Sequence, residues 1–295
     1  MDPAVTQLFC DQGGVATSAQ LLSRLSRRRF AAAVERGEIE RIWTGVYCLG
    51  EPDATLRLRG LDLAAGVRVP VCLGTAAALY GFDTETTDDL HVLNPPRRQL
   101  RNADGLVVHR RDGAPLRMVD GRLATTPAWT AVEVARSLRR GRALATLDAA
   151  LRSQTCTRPE LWRAAIEQAG RRGIVAVRDL LPLADPRAES PMESVVRCVM
   201  HDGGLAVPEL QYELVDGDGR LRRLDFAWPD RRVAAEYDGE EWHGGVDAMR
   251  RDRRRQSALL AVDWVVVSVV AEDLRRPWEL VGRIETVLRR RAAAA

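Results

Sequence analysis

The 295-residue sequence contains no lysine: all 44 basic residues are arginine, set against 41 acidic ones for a formal net charge of +3. Chemistry that needs a lysine amine is therefore excluded. Every cation is instead a planar fork able to grip phosphate or carboxylate through two N–H groups. A GC-rich coding sequence produces the same bias. Cysteine is scarce as well. Cys10, Cys48, Cys72, Cys156 and Cys198 are odd in number and far apart, which excludes a disulfide framework and a Cys-x-x-Cys zinc site. The histidines His91, His109, His201 and His243 are equally scattered. No apolar run reaches the ~18 residues of a membrane span. Met1-Asp2-Pro3-Ala4 also lacks the basic start of a signal peptide. The expectation is a cytoplasmic protein with reduced thiols, no structural metal and no membrane partner. With so small a net charge, any affinity for nucleic acid has to come from local patches.

At roughly 150 residues per domain the length suggests two domains or three small ones. The patterns divide the chain into residues 1–50, 51–185 and 186–295, a multi-domain α+β or α/β protein. In the first segment Val5, Leu8 and Phe9 share a helix face that Gly13-Gly14 ends. Thr17 to Gln20 is a capping box opening a second helix. Ser26 caps a third, which turns Phe30 and Val34 inward and stops at Gly37. Short β-type runs at 39–42 and 46–49 form a hairpin. Three helices and a hairpin describe a winged helix-turn-helix.

The middle segment is mixed. Strands are expected at 69–73, 90–93 and 107–109, and helices from Gly74 and over 128–136, 144–151 and 159–169. It offers no site of its own. Pro182 to Arg187, with two prolines among polar residues, is the linker candidate. After it come a helix over 191–201 and strands at 210–215, 221–228 and 232–237. A basic helix over 246–261, a buried strand over 264–270 and a last helix over 277–291 follow. The order αβββαβα is that of an α/β module.

Two constellations carry chemistry. The third helix opens Arg27-Arg28-Arg29 directly after its cap, where a recognition helix enters the major groove. Arginine there can fork onto guanine or phosphate, and the helix dipole adds positive charge at the same end. Arg41 in the hairpin is placed to act from a wing. Residues 21–47 hold six arginines against three acids, an excess equal to that of the whole chain. A solvated charge run is the plainer reading of such a stretch.

The second constellation is acidic. With a two-residue turn centred on Asp230-Arg231, Asp225 and Glu236 fall opposite each other, side chains about 5 Å apart on one face. Like charges there need a cation, and Mg²⁺ held by the two carboxylates is one solution. Neutralisation by nearby arginines is another. Glu193 could supply a third carboxylate, and His243 is a candidate general acid or base. The Arg250-Arg251-Asp252-Arg253-Arg254-Arg255 run on the basic helix puts guanidiniums beside this cluster, Arg250, Arg251 and Arg254 among them, suited to backbone phosphate or equally to a salt-bridged solvated face. Asp216-Gly217-Asp218-Gly219 raises the question of calcium, but a hairpin turn explains it better.

These residues resemble a known combination. Gly14-Val15-Ala16-Thr17 with Gln20-Leu21, Arg36-Gly37-Glu38-Ile39 and Gly45-Val46-Tyr47 are similar to the start of AbiEi-type antitoxins, whose partner toxins are nucleotidyltransferases. Gly74-Thr75-Ala76-Ala77, Leu90-His91-Val92 and Thr125-Thr126-Pro127 resemble the second part of that family. The last third resembles the PD-(D/E)XK fold of very-short-patch-repair endonuclease relatives. Ser190 with Glu193, Arg223-Leu224-Asp225-Phe226, Glu236-Tyr237-Asp238-Gly239, Trp242-His243 and Arg251-Asp252 carry that likeness. The resemblance implies binding of double-stranded DNA at the protein's own operator, transcriptional autoregulation and antagonism of a toxin, with no cofactor. It also implies metal at Asp225 and Glu236, supported by Glu193 and His243, if the last domain is active. Where the motif has lysine, this sequence has Asp238. A Mg²⁺-dependent DNA endonuclease and a plain protein-binding inhibitor stay open beside the antitoxin. Dimerisation on a palindromic operator is the geometric expectation for such motifs.

Overall fold

The structure, a computed structural model, describes residues 2–82, 84–85, 88–110, 113–239 and 246–293. By contacts among its residues the chain forms two compact units, 1–79 with 85–130 and 80–84 with 131–295. The middle segment 51–185 is thus divided between the two.

The first unit begins with helix α1 (Pro3–Asp11), strand β1 (Val15–Thr17), helices α2 (Ser18–Leu22) and α3 (Arg27–Glu35), and strands β2 (Ile39–Trp43) and β3 (Val46–Leu49). The strands form an antiparallel sheet in the order β1-β3-β2. The expected caps are present. Thr17 Oγ1 accepts from Gln20 N while Gln20 Oε1 accepts from Thr17 N, and Ser26 Oγ accepts from Arg29 N. Val5, Phe9, Leu21, Leu25 and Ile39 make the core between helices and sheet. The inward residue of α3 is Ala33; Val34 is exposed, and Phe30 lies half-buried with its ring edge-on to Tyr47. Small Ala33 lets the short helix sit close to the sheet.

Helix α4 (Ala54–Ala65) packs on this three-stranded sheet. Trp43 donates from Nε1 to Arg57 O at 2.7 Å, and the Arg57 guanidinium lies over its ring. Helix α5 (Leu73–Leu79), the parallel pair β4 (Leu90–Leu93) and β5 (Leu106–His109), the antiparallel pair β6 (Leu116–Val119) and β7 (Arg122–Thr125), and the start of α6 (Pro127–Ala135) complete the unit. The strand expected at 69–73 is reduced to single bridges from Val71 to Val92 and Ala124, because α5 begins at Leu73.

The second unit holds the rest of α6, then α7 (Arg140–Arg152), α8 (Arg158–Glu167), α9 (Ile174–Leu180) and α10 (Pro191–Asp202). It continues with β8 (Glu209–Val215), β9 (Leu221–Trp228), β10 (Val233–Tyr237), α11 (Val246–Ala261), β11 (Val265–Val269) and α12 (Pro277–Ala293). The sheet order is β11-β10-β9-β8, with β10 and β11 parallel and the other neighbours antiparallel. Helices α10 and α12 cover one face through Val196, Met200, Leu280 and Ile284. Leu259 of α11 covers the other with Leu224, Ala227 and Ala234. The expected linker is instead tied down. Arg158 donates to Leu181 O and Ala184 O, Arg152 to Ala188 O, and the Asp185 N–H to Asp148 Oδ1 at 2.7 Å. The boundary expected at 185 therefore falls inside this unit.

Gly14 gives a stability test. It sits at φ +93°, and a Cβ built there would lie 2.6 Å from Leu56 Cδ2 on α4. Gly14→Ala should cost about 1–3 kcal/mol in chemical denaturation of the full chain. Gly37, also at positive φ but facing open space, should tolerate Asn with little loss. Equal midpoints for Gly14→Ala and the unaltered chain would contradict this packing.

Candidate nucleic-acid interface and carboxylate site

Two constellations form, one in each unit. On the first, Ser26 fixes the start of α3, so Arg27, Arg28 and Arg29 occupy its first turn. All three are exposed, and their guanidiniums have no hydrogen bond or ion pair among the described residues. The capped N-terminus adds the partial positive charge of the helix dipole. Arg41 is exposed on β2 and reaches Thr44 Oγ1 at 3.5 Å across the hairpin turn. Arg36, by contrast, is spent on Glu38 at 2.6 Å. What remains at this helix start is a set of uncommitted cations, suited to an extended anion.

On the second unit the turn between β9 and β10 differs in form from the expectation but keeps its centre. Pro229–Arg231 makes one 3-10 turn and Arg232 takes a left-handed φ of +50°, so Trp228 faces Val233 and Phe226 faces Ala235. One further step would set Asp225 across from Glu236. The β9–β10 ladder ends at Phe226, while β10 goes on pairing with β11 through Glu236 and Tyr237. The Tyr237 N–H then donates to Asp225 Oδ2 at 3.0 Å. On the other side of β9, Gln211 stands at φ +53°, between the pairs Leu210 with Phe226 and Tyr212 with Leu224. Leu224 and Phe226, which flank Asp225, belong to the core clusters on opposite faces of the sheet. Gln211 Nε2 donates to Glu193 Oε2 at 2.9 Å, and the Glu189 N–H donates to the same oxygen at 2.9 Å.

Asp225, Glu236 and Glu193 thus share one electrostatic neighbourhood. Burial pushes the Asp225 carboxyl up to about 6, with the charges of Glu193 and Asp238 adding to the rise. The Tyr237 N–H and Arg255 oppose it. Burial pushes Glu236 up to about 7, Asp225 adding and Arg255 opposing. Asp238 accepts from Ser268 Oγ. His243 lies outside the described residues, as does the side chain of Arg251. Arg250 and Arg254 are exposed on α11, and Arg254 has no partner among the described residues.

The cation beside Glu236 is Arg255. Its Nη1 donates to Glu236 Oε2 at 2.7 Å and its Nη2 to Oε1, so one fork takes both oxygens; Nη2 also reaches Arg223 O. Asp225 Oδ2 is committed to Tyr237, and Glu193 Oε2 to Gln211 and Glu189. Among the described residues no three His, Cys, Asp or Glu side chains are grouped to hold a metal ion. As arranged, these donors do not fit the Mg²⁺ site expected at Asp225 and Glu236. The sequence sets the run Arg250 to Arg255 beside the carboxylates, with Arg250, Arg251 and Arg254 as the phosphate candidates, but does not single out Arg255 as the one that turns to Glu236. The signal was available: Arg255 lies three and four residues before Ala258 and Leu259, the buried face of α11. Asp216 answers the calcium question. Its carboxylate accepts from the Asp218 and Arg220 N–H groups and from Arg222 Nε, as an organiser of the hairpin turn.

Two relatives from strains of Mycobacterium tuberculosis, each named only as an uncharacterized protein, are 55% identical over 261 residues, 88% of this chain and 96% of each relative. The chain belongs to their family. Residues 69–183 match the AbiEi antitoxin C-terminal domain. That stretch ends before Asp225 and begins after Arg41, so both constellations lie outside it. Among the described residues no helix is long and apolar enough to cross a membrane.

The carboxylate pair sets a pH dependence. Raised native values mean that the folded chain holds protons the unfolded chain releases. The pair's contribution to stability is complete below the ordinary carboxylate range and is lost as pH rises through about 6 and 7. Carboxyl-carbon NMR titration should give midpoints near 6 for Asp225 and near 7 for Glu236. Arg255→Ala should move Glu236 higher still. Both midpoints in the ordinary range near ~4 would contradict the burial described here.

Proposed function

We propose that the chain is a DNA-binding antitoxin that represses its own operon and antagonises a nucleotidyltransferase toxin in the cytoplasm. The observation that carries this reading is the first turn of α3, where Arg27, Arg28 and Arg29 stand exposed and unspent on a capped helix start. We read α1 to α3 with the β2–β3 hairpin as a winged helix-turn-helix. Its third helix enters the major groove, and Arg41 approaches the backbone from the wing. The AbiEi antitoxin match over 69–183 supports the toxin–antitoxin setting. A dimer on a palindromic operator fits such a motif.

The second unit's αβββαβα order supports a restriction-endonuclease-like module, here kept for binding. Mg²⁺-dependent DNA cleavage is the second reading, favoured by the convergence of Asp225, Glu236 and Glu193. It would require the Arg255 fork to release Glu236, whereas DNA binding requires no rearrangement.

The test replaces Arg27 and Arg28 with Ala and follows binding to a duplex from the region upstream of the gene, by fluorescence anisotropy across a salt series. Each lost phosphate contact removes about 0.9 from the slope of log K against log salt. The double variant should therefore show weaker binding and a slope smaller by about 1–2, depending on how many of the two meet phosphate. An unaltered affinity and slope would remove α3 from the interface.

A further inference from the structure

A groove of about 780 Å³ runs between the β8–β9 turn and helix α11 of the second unit. Arg220 and Arg222 line it from β9 and the turn before it; Arg253, Arg254 and Arg255 line it from α11. Arg222 is held by Asp216 through Nε at 2.6 Å, and Arg255 by Glu236. Arg220, Arg253 and Arg254 are exposed, and their guanidiniums have no hydrogen bond or ion pair among the described residues. The remaining lining is Gly217, Asp218, Ser257, Ala258 and Ala261, with no aromatic ring on which a base could stack and no apolar pocket.

The groove is built, not incidental. The Gly217 N–H donates to Ala258 O at 2.9 Å, pinning the turn on α11. A Cβ on Gly217 would lie 2.7 Å from the Ala261 Cβ, so only glycine allows this approach. The Asp216 carboxylate, accepting two backbone N–H groups, holds the turn in shape. Guanidiniums from two elements thus face one trough whose walls cannot drift apart.

We infer that this groove binds the phosphodiester backbone of duplex nucleic acid, as a second, sequence-independent contact of the chain. A repeating anion without base recognition is what a trough of five arginines against one acid, Asp218, and otherwise lined by Gly, Ala and Ser accepts. Arg255 joins the groove to the carboxylates, so a phosphate at that end competes with Glu236 for the same fork. The inference deepens the DNA-binding reading and rests on it for the class of ligand, but not on α3.

The experiment uses the full chain and a random-sequence duplex, whose binding reports backbone contacts alone. Three forms are compared across a salt series: the unaltered chain, a groove triple (Arg220→Ala, Arg253→Ala, Arg254→Ala), and a control triple at exposed arginines elsewhere in the same unit (Arg163→Ala, Arg275→Ala, Arg290→Ala). The groove triple should lower the slope of log K against log salt by about 2–3. The control triple should change it by less than about 1, and lysine at the three groove positions should restore most of it. Equal slopes for the two alanine triples would overturn the groove while leaving the α3 reading intact. Loss in the groove triple with no effect of Arg27→Ala and Arg28→Ala would uphold the groove and remove α3. Absence of binding by the unaltered chain would overturn both. Retained DNA binding by the groove triple with loss of free inorganic phosphate binding would reassign the groove to small anions and overturn the inference.

Discussion

Inside the second unit, four carboxylates that have left water are met by guanidiniums. Asp148 is fully buried and receives Arg197 Nη2 at 2.5 Å together with the Asp185 N–H. Burial raises its pKa, and Arg197 opposes that rise. Glu133, equally buried, has Arg136 and Arg171 within 3.5 and 3.7 Å. Asp216 has Arg222, and Glu236 has Arg255. An isolated buried charge is too costly to keep, and removing one partner of such a pair typically destabilises by about 3–5 kcal/mol. In a chain without lysine the cation of each such pair is a fork, which fixes orientation as well as charge. These pairs set where α10, the 181–188 segment, the β8–β9 turn and α11 sit within the unit.

The same rule shapes the site. Carboxylates converging at the end of a strand ladder invite a divalent cation, but here an arginine of the neighbouring helix has taken both oxygens of Glu236. Arginines therefore fall into two groups that composition cannot separate. Arg197, Arg222 and Arg255 are turned to internal acids, whereas Arg27, Arg28, Arg29, Arg220, Arg253 and Arg254 face solvent with no partner among the described residues. A net charge of +3 hides this division. Exposed arginines occur elsewhere too; at this one helix start and along this one groove they stand in threes, and such a local excess is what a polyanion would meet.

Elements with strong local determinants were readable in the sequence. Thr17 and Ser26 each announced a helix start through a side chain that caps its own N3 amide. The β9–β10 register followed from the turn centre alone, since a 3-10 turn with Arg232 in the left-handed region preserves the pairing that a two-residue turn would set. What failed depended on tertiary contact. Val69 to Leu73 has strand composition, yet Val71 bridges two partners and the chain turns at once into α5. The β6–β7 hairpin and helices α4 and α9 carry periodicities too short or too mixed to stand out. Pro182 to Arg187 looks like a linker by composition, but Arg158 of α8 and Arg197 of α10 bond its Ala184 and Leu183 carbonyls, and Arg152 of α7 bonds the Ala188 carbonyl just beyond. Arg255 was hidden because its neighbours are also arginines; only its spacing to Ala258 and Leu259 marks it as inward.

The central claim of the proposed function is that this chain binds DNA while Arg255 holds both oxygens of Glu236, and does not cut it. The most direct measurement incubates the purified chain with a supercoiled plasmid carrying the region upstream of its gene, with Mg²⁺, with Mn²⁺ and with neither, beside an Asp225→Ala variant. The account predicts the same retardation in all three conditions, for both proteins, and a plasmid that stays supercoiled. Metal-dependent nicking that Asp225→Ala abolishes would contradict it and make the second unit a nuclease.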